Sequence, residues 1–186
     1  MEKQWIIVTA TEDGARLELY ERQKDGHWLR RVNAPAAIGK NGIGKEREGD
    51  GKTPQGVFRL LFAFGTKDKP DTNFPYLQMD ASYYWVDDSR SRYYNQLVSV
   101  GVVRQDWESA EHIVEKGASY HYVLALDYNA DCIPGKGSAI FLHCMPSEGA
   151  GCIAVEEVVM RKLLKFIQPG CRIRITESAE NRGYLM

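Results

Sequence analysis

Ser138-Ala139-Ile140-Phe141-Leu142-His143, followed by Gly151-Cys152-Ile153-Ala154, is the stretch on which the reading of this chain turns. The uninterrupted apolar run Ala139–Leu142 predicts a strand buried on both faces, and that strand ends on an imidazole. Nine positions after His143 comes a cysteine, flanked by a glycine and by small apolar residues. A helix-like segment, Val155 to Gln168, follows directly. A thiol is a useful nucleophile only as thiolate, and a neighbouring imidazole or helix N-terminus lowers its pKa toward working pH. The pattern therefore names Cys152 as nucleophile and His143 as general base, with backbone N–H groups around Gly151 to hold an oxyanion. Spacing alone does not decide the matter. Lone cysteines are mostly buried small hydrophobes, and a histidine ending a strand is usually a core or rim residue.

Outward from this window the pattern is mostly β. Trp5–Ala10, Arg16–Tyr20 and Trp28–Asn33 alternate apolar with polar residues and are separated by turn signals at Glu12-Asp13-Gly14 and Lys24-Asp25-Gly26, which predicts an antiparallel meander. Val57–Phe64 and Tyr122–Leu126 read as further strands. Ile173 and Ile175 alternate with Arg172 and Arg174 in a closing strand, which places Cys171 on the buried side. Asp106–Lys116 reads as a helix capped by Asp106 and stopped by Gly117. In the segment after the cysteine, Val155, Val158, Val159, Leu163, Phe166 and Ile167 lie at helical spacing, and Pro169-Gly170 ends it. No repeat, linker or low-complexity stretch divides the chain, so residues 1–186 read as a single domain, mainly β with minor α, with a helix after the cysteine.

Several other features are weighed against bland readings. The glycine-rich Gly39–Gly56 stretch has the frame of a phosphate loop, but Glu46 stands where a hydroxyl is needed, and neither candidate sits between a strand and a helix. Turns that let the backbone approach an extended substrate explain it better. The cysteines at 132, 144, 152 and 171 show no paired spacing, so neither a zinc site nor a disulfide framework is signalled. Cys144, next to His143, is the rival nucleophile, but no helix follows it directly. The aromatic cluster Tyr83, Tyr84, Trp85, Tyr93 and Tyr94 reads first as core packing. His121 and Asp127 are too far apart along one strand to form a dyad. His27 and His112 have no chemical context.

Composition narrows the class. Of 186 residues 44% are apolar and 26% charged, ordinary globular values. Lys and Arg number 24 against 25 Asp and Glu, a net charge of −1, which gives no electrostatic footprint for nucleic acid. No apolar run is long enough for a transmembrane helix. The apolar stretch within Met1–Ala10 is too short for a signal peptide.

The run Gly49-Asp50-Gly51-Lys52-Thr53-Pro54-Gln55-Gly56-Val57-Phe58 resembles the substrate-cleft strand of the YkuD-type L,D-transpeptidase catalytic domain. Tyr93-Tyr94-Asn95, Asp127-Tyr128-Asn129, the Gly137–His143 run and Gly151-Cys152-Ile153-Ala154 follow in the family's order, so the resemblance spans residues 36 to 176. It departs at Gly149-Ala150, where the family carries Ser/Thr-His, and at Ala154, where it often carries Arg. A divergent branch with Gly-Cys-Ile/Val-Ala looks closer. The resemblance implies a curled sheet or β-sandwich with a helix after the active cysteine, and a cysteine acyltransferase of the cell envelope or periplasm. It would act on peptidoglycan stem peptides, as acyl donor and amine acceptor, and release D-alanine. Cys152, His143 and Gly151 would be its catalytic groups, Thr53, Pro54, Gly56 and Tyr94 would line the substrate cleft, and no metal or organic cofactor is implied. An L,D-carboxypeptidase or amidase on the same scaffold is the runner-up, and a binding relic without activity the alternative from another class.

Overall fold

Twelve strands, one α-helix and one 3-10 segment arise in the computed structural model, which describes residues 3–177. The strands are β1 (Gln4–Thr11), β2 (Gly14–Arg22), β3 (Trp28–Ala36), β4 (Gly56–Gly65), β5 (Tyr76–Gln78), β6 (Tyr83–Val86), β7 (Leu97–Ser99), β8 (Ala110–His112), β9 (Val123–Leu126), β10 (Phe141–Cys144), β11 (Ile153–Val155) and β12 (Arg172–Thr176). The 3-10 segment is Ile113–Tyr120 and the helix, α1, is Glu157–Phe166. β1, β2 and β3 form the meander that the alternating pattern predicts. Nine strands make one sheet in the order β11-β10-β9-β4-β12-β1-β2-β3, with β5 pairing alongside β4. Ala37, just past β3, exchanges two backbone hydrogen bonds with Ala154 in β11. The sheet therefore curls until its two ends meet, which satisfies edge groups that would otherwise face solvent.

Side-chain alternation divides this sheet between two cores. Leu124, Leu126, Leu142 and Cys144 face the main core, which the curl encloses together with Ile6, Val8, Leu17, Leu19, Ile173 and Ile175. The intervening Val123, Ala125 and Phe141 face a second core made with Phe64, Trp85, Ile113 and Tyr120. A three-stranded sheet, β7-β6-β8, supplies Trp85 and covers this outer face. Phe141 is its hub, edge-on to Trp85 at 4.8 Å and to Phe64 at 5.4 Å, the offset geometry that aromatic quadrupoles favour. No helix among the described residues is long and apolar enough to cross a membrane.

Three sequence expectations are corrected here. Asp106–Lys116 is not a helix. Asp106 accepts from the Ser91 hydroxyl and the Arg92 guanidinium rather than capping a helix, residues 110–112 pair with β6, and the following 3-10 turns are interrupted at Gly117, whose φ is 59°. The predicted strand Ala139–Leu142 is displaced to Phe141–Cys144, because Ala139 itself takes a left-handed φ of 53°. The predicted helix Val155–Gln168 is shorter. Val155 belongs to β11 and Val158 is exposed, while Met160, Leu163 and Leu164 form the buried stripe.

Candidate active site

The parallel pairing of β10 with β11 sets His143 and Cys152 together. Leu142 is in register with Ile153 and His143 with Ala154, so Cys152 lies beside Phe141, two residues along from His143. Side chains two apart in a strand share a face. That face is the outer one, and Cys152 packs against the second core. Cys152 and His143 open into one cavity of about 40 Å³, lined also by Glu111, Lys116, Ser119, Tyr120, Pro146, Ser147, Glu148 and Ala150. Cys144 points to the opposite face, fully buried, where its thiol is 3.5 Å from the Tyr122 carbonyl and burial pushes its pKa up to about 11. The rival nucleophile does not reach the cavity.

Both candidate groups rest uncharged. The Nδ1 of His143 is 2.6 Å from the Cys144 carbonyl. A carbonyl only accepts, so Nδ1 carries the proton and Nε2 is left as the basic nitrogen. Burial lowers the imidazole pKa, which keeps the ring neutral. The Tyr120 ring packs against it at 5.5 Å. The Cys152 thiol donates to the Ala139 carbonyl at 3.1 Å and accepts from the Phe141 N–H at 3.3 Å. Burial, followed by the nearby Glu111 carboxylate, pushes this thiol up to about 12. The helix N-terminus expected to favour the thiolate lies too far along the chain: β11 intervenes, and α1 begins only at Glu157.

The left-handed Ala139, whose carbonyl accepts the thiol's hydrogen bond, is held from behind by Asn95. One side-chain amide does four jobs: Oδ1 accepts from the Ala139 N–H and from the Trp85 indole, while Nδ2 donates to the carbonyls of Tyr128 and Asn129. Buried Tyr94 works on the residues just before it. Its hydroxyl donates to Glu48 and accepts from the Gly137 N–H, and the Ser138 hydroxyl donates to the same Glu48 oxygen. The Tyr-Tyr-Asn and Asp-Tyr-Asn motifs thus brace the start of β10.

The loop between β3 and β4 braces the cysteine itself. Gly151 has a φ of 142°, and a Cβ there would stand 2.7 Å from the Lys52 carbonyl, so only glycine fits. Buried Asp50 gathers the Lys45 ammonium and the N–H groups of Glu46, Arg47 and Lys52. Burial alone would raise its pKa, but these four donors outweigh it and hold the carboxyl well below its usual range. Thr53 is fully buried, and its hydroxyl accepts from the Gly39 N–H at 2.8 Å. Pro54 is buried, and Gly56 opens β4. None of Thr53, Pro54, Gly56 and Tyr94 lines the cavity shared by Cys152 and His143.

A loop, two motifs and a Gly-Cys strand meeting around one thiol is an arrangement that can be compared with known families. The model for the YkuD L,D-transpeptidase catalytic domain matches residues 3–175. The chain belongs to this family. No curated protein matches it. Among solved structures, the helical cell shape determining protein Pgp2 from Campylobacter jejuni is similar at a TM-score of 0.54 and 17% identity, covering 95% of this chain and 48% of that one. A lysine-to-alanine mutant of Pgp2 gives a TM-score of 0.49 and 18% identity over the same shares. The chain therefore spans about half the length of the solved proteins it resembles, and at these identities the likeness concerns the fold.

Sequence reading did not find the outer wall of this L,D-transpeptidase-family cavity. Glu111 and Lys116 come from the segment expected to be a helix, where periodicity gave them no common direction, and Ser119 and Tyr120 from the 3-10 turns just beyond it. The buried Lys45–Asp50 pair also went unread, although an aspartate between two glycines was a signal for a turn organised by its carboxylate.

Proposed function

We propose that this chain is a cysteine acyltransferase acting on peptidoglycan stem peptides. The observation that carries the reading is the shared cavity: a thiol and a neutral imidazole with its basic nitrogen bare, on one face of adjacent strands, in a chain of the L,D-transpeptidase family. His143 Nε2 takes the proton of Cys152 as the sulfur attacks the carbonyl of the L-centre at position three. A C–S bond forms, and the oxyanion is held by backbone N–H groups around Gly151 and Cys152. When the intermediate collapses, the C–N bond breaks and the imidazolium returns the proton to departing D-alanine. An amine of a second stem then resolves the thioester. Thr53, Pro54, Gly56 and Tyr94 act in this scheme as framing residues: they hold the loop and the Gly137–Ala139 segment against which the thiol rests. The cell envelope is the compartment where such a substrate is found.

The test is chemical. Incubated with disaccharide tetrapeptide and an amine acceptor, the protein should release D-alanine and form a new amide. D-alanine release with only the free acid as second product, even at high acceptor concentration, would make it an L,D-carboxypeptidase. No release from any tetrapeptide would overturn the substrate assignment.

A further inference from the structure

The cavity beside Cys152 carries charge that the acyl-transfer scheme has not yet used. Glu111, on β8, is one-fifth exposed there (20%), and Lys116, on the 3-10 segment, about a quarter (27%). One oxygen of Glu111 accepts a short hydrogen bond from the buried Tyr120 hydroxyl. The other lies 3.5 Å from the Lys116 ammonium, a loose pairing that leaves it open to a competing donor. Glu148 adds a second carboxylate at the exposed rim. With His143 and Cys152 neutral, two carboxylates against one ammonium leave the wall one negative charge in excess.

A negative wall is unfavourable for a nucleophile that must ionise, because like charge disfavours the thiolate. Glu111 acts on the sulfur in this way, second only to burial. The wall becomes favourable when a cation enters with the reactants, since low-dielectric surroundings strengthen that attraction. Water, the competing nucleophile, gains nothing from it. We propose that Glu111 makes the Cys152 cavity an ammonium site, drawing in the amine that resolves the acyl-enzyme and accepting its first proton. This role rests on the acyl-transfer reading above. The ammonium gives one proton to the Glu111 carboxylate, and the freed amine forms a C–N bond to the thioester carbonyl. The nitrogen's second proton passes to His143 Nε2, the C–S bond breaks, and the imidazolium reprotonates the sulfur. Glu111 then returns its proton to solvent, so that thioester and ammonium yield amide, thiol and one proton. Burial raises the Glu111 pKa, which makes it a better acceptor than a surface carboxylate.

Two experiments test this, the first independent of any peptidoglycan substrate. Cys152 is modified with methanethiosulfonates bearing an aminoethyl, a methyl or a sulfonatoethyl group, and each rate is divided by that of a small thiol in solution. The cation should exceed the anion by about tenfold after this normalisation, the lower end of electrostatic focusing in a cleft. Glu111→Gln should bring the ratio close to one, and Lys116→Gln should raise it. The opposite signs separate charge from altered shape, and Lys116→Gln decides alone if Glu111→Gln fails to fold. A ratio near one in the native protein, or one unchanged in both variants, would overturn the proposal. In the second experiment tetrapeptide donor and amine acceptor are supplied together. Glu111→Gln should lower the amide-to-acid product ratio by about tenfold. A lower rate of D-alanine release at an unchanged product ratio would instead assign the ammonium to the donor and overturn the acceptor role. Absence of D-alanine release from the native protein would sink the acyl-transfer reading and this proton transfer with it, while the reagent ratios would still support or refute the cation-selective wall.

Discussion

Cys152 and His143 are legible as a pair in the sequence, but their resting state is not. A helix directly after a cysteine suggests an activated thiolate, whereas β11 separates the two and the thiol is held as donor to Ala139. Iodoacetamide should therefore label Cys152 slowly at neutral pH in the substrate-free protein, its rate rising only above the ordinary thiol value of about 8.5. A labelling midpoint below that value would show that an electrostatic contribution absent from this account dominates. The lowered pKa of His143 has a consequence for stability. The unfolded chain binds this proton below about pH 6.5, while the buried ring resists it. The stabilisation is thus complete above that pH and is lost as pH falls toward the folded value. Chemical denaturation across pH 5 to 8 should show a loss on the acid side that His143→Gln reduces. In turnover, His143→Ala should slow acylation by a factor on the order of 10², with circular dichroism unchanged. Gly151→Ala should cost about 1–3 kcal/mol through its strained φ and the Lys52 contact, seen as a lowered denaturant midpoint.

At the scale of elements, period-2 and period-3.6 patterns located most of the strands and the helix, and failed where tertiary partners overrode them. The meander and β12 follow from alternation of exposed and buried positions, whereas β9 is an apolar run buried on both faces. The segment from Asp106 to Lys116 lacks such a contrast, and pairing with β6 decides it. The helical stripe was read only in part: Leu163 and Ile167 are buried as expected, but Val158 is exposed, and Met160 and Leu164 join the buried face. This gives a direct comparison. Leu163→Ala should destabilise the protein by about 2–5 kcal/mol, as truncations in a packed core do, and Val158→Ala should change little. Similar denaturation midpoints for the two variants would contradict the placement of α1.

Across the whole molecule, a mainly β chain with a helix after the cysteine was within reach of the sequence because the strands around the site carry uninterrupted or alternating apolar runs, while the curled sheet came from the family resemblance. Its near-closure was not, since it depends on two alanines, Ala37 and Ala154, meeting across the chain. Nor was the negative outer wall, which needs the small sheet to fold over β10 before Glu111 and Cys152 share a cavity. The same long-range assembly explains why motif residues far apart in sequence converge on one backbone segment, Gly137 to Ala139. The claim that joins these levels is that the thiol at this convergence attacks a stem peptide. Intact-mass analysis after brief incubation with disaccharide tetrapeptide and acid quench tests it most directly. The expected adduct equals the donor minus D-alanine, maps to the peptide containing Cys152 and is missing in Cys152→Ser. A donor-derived adduct on Cys144, or D-alanine release that persists in Cys152→Ser, would contradict it.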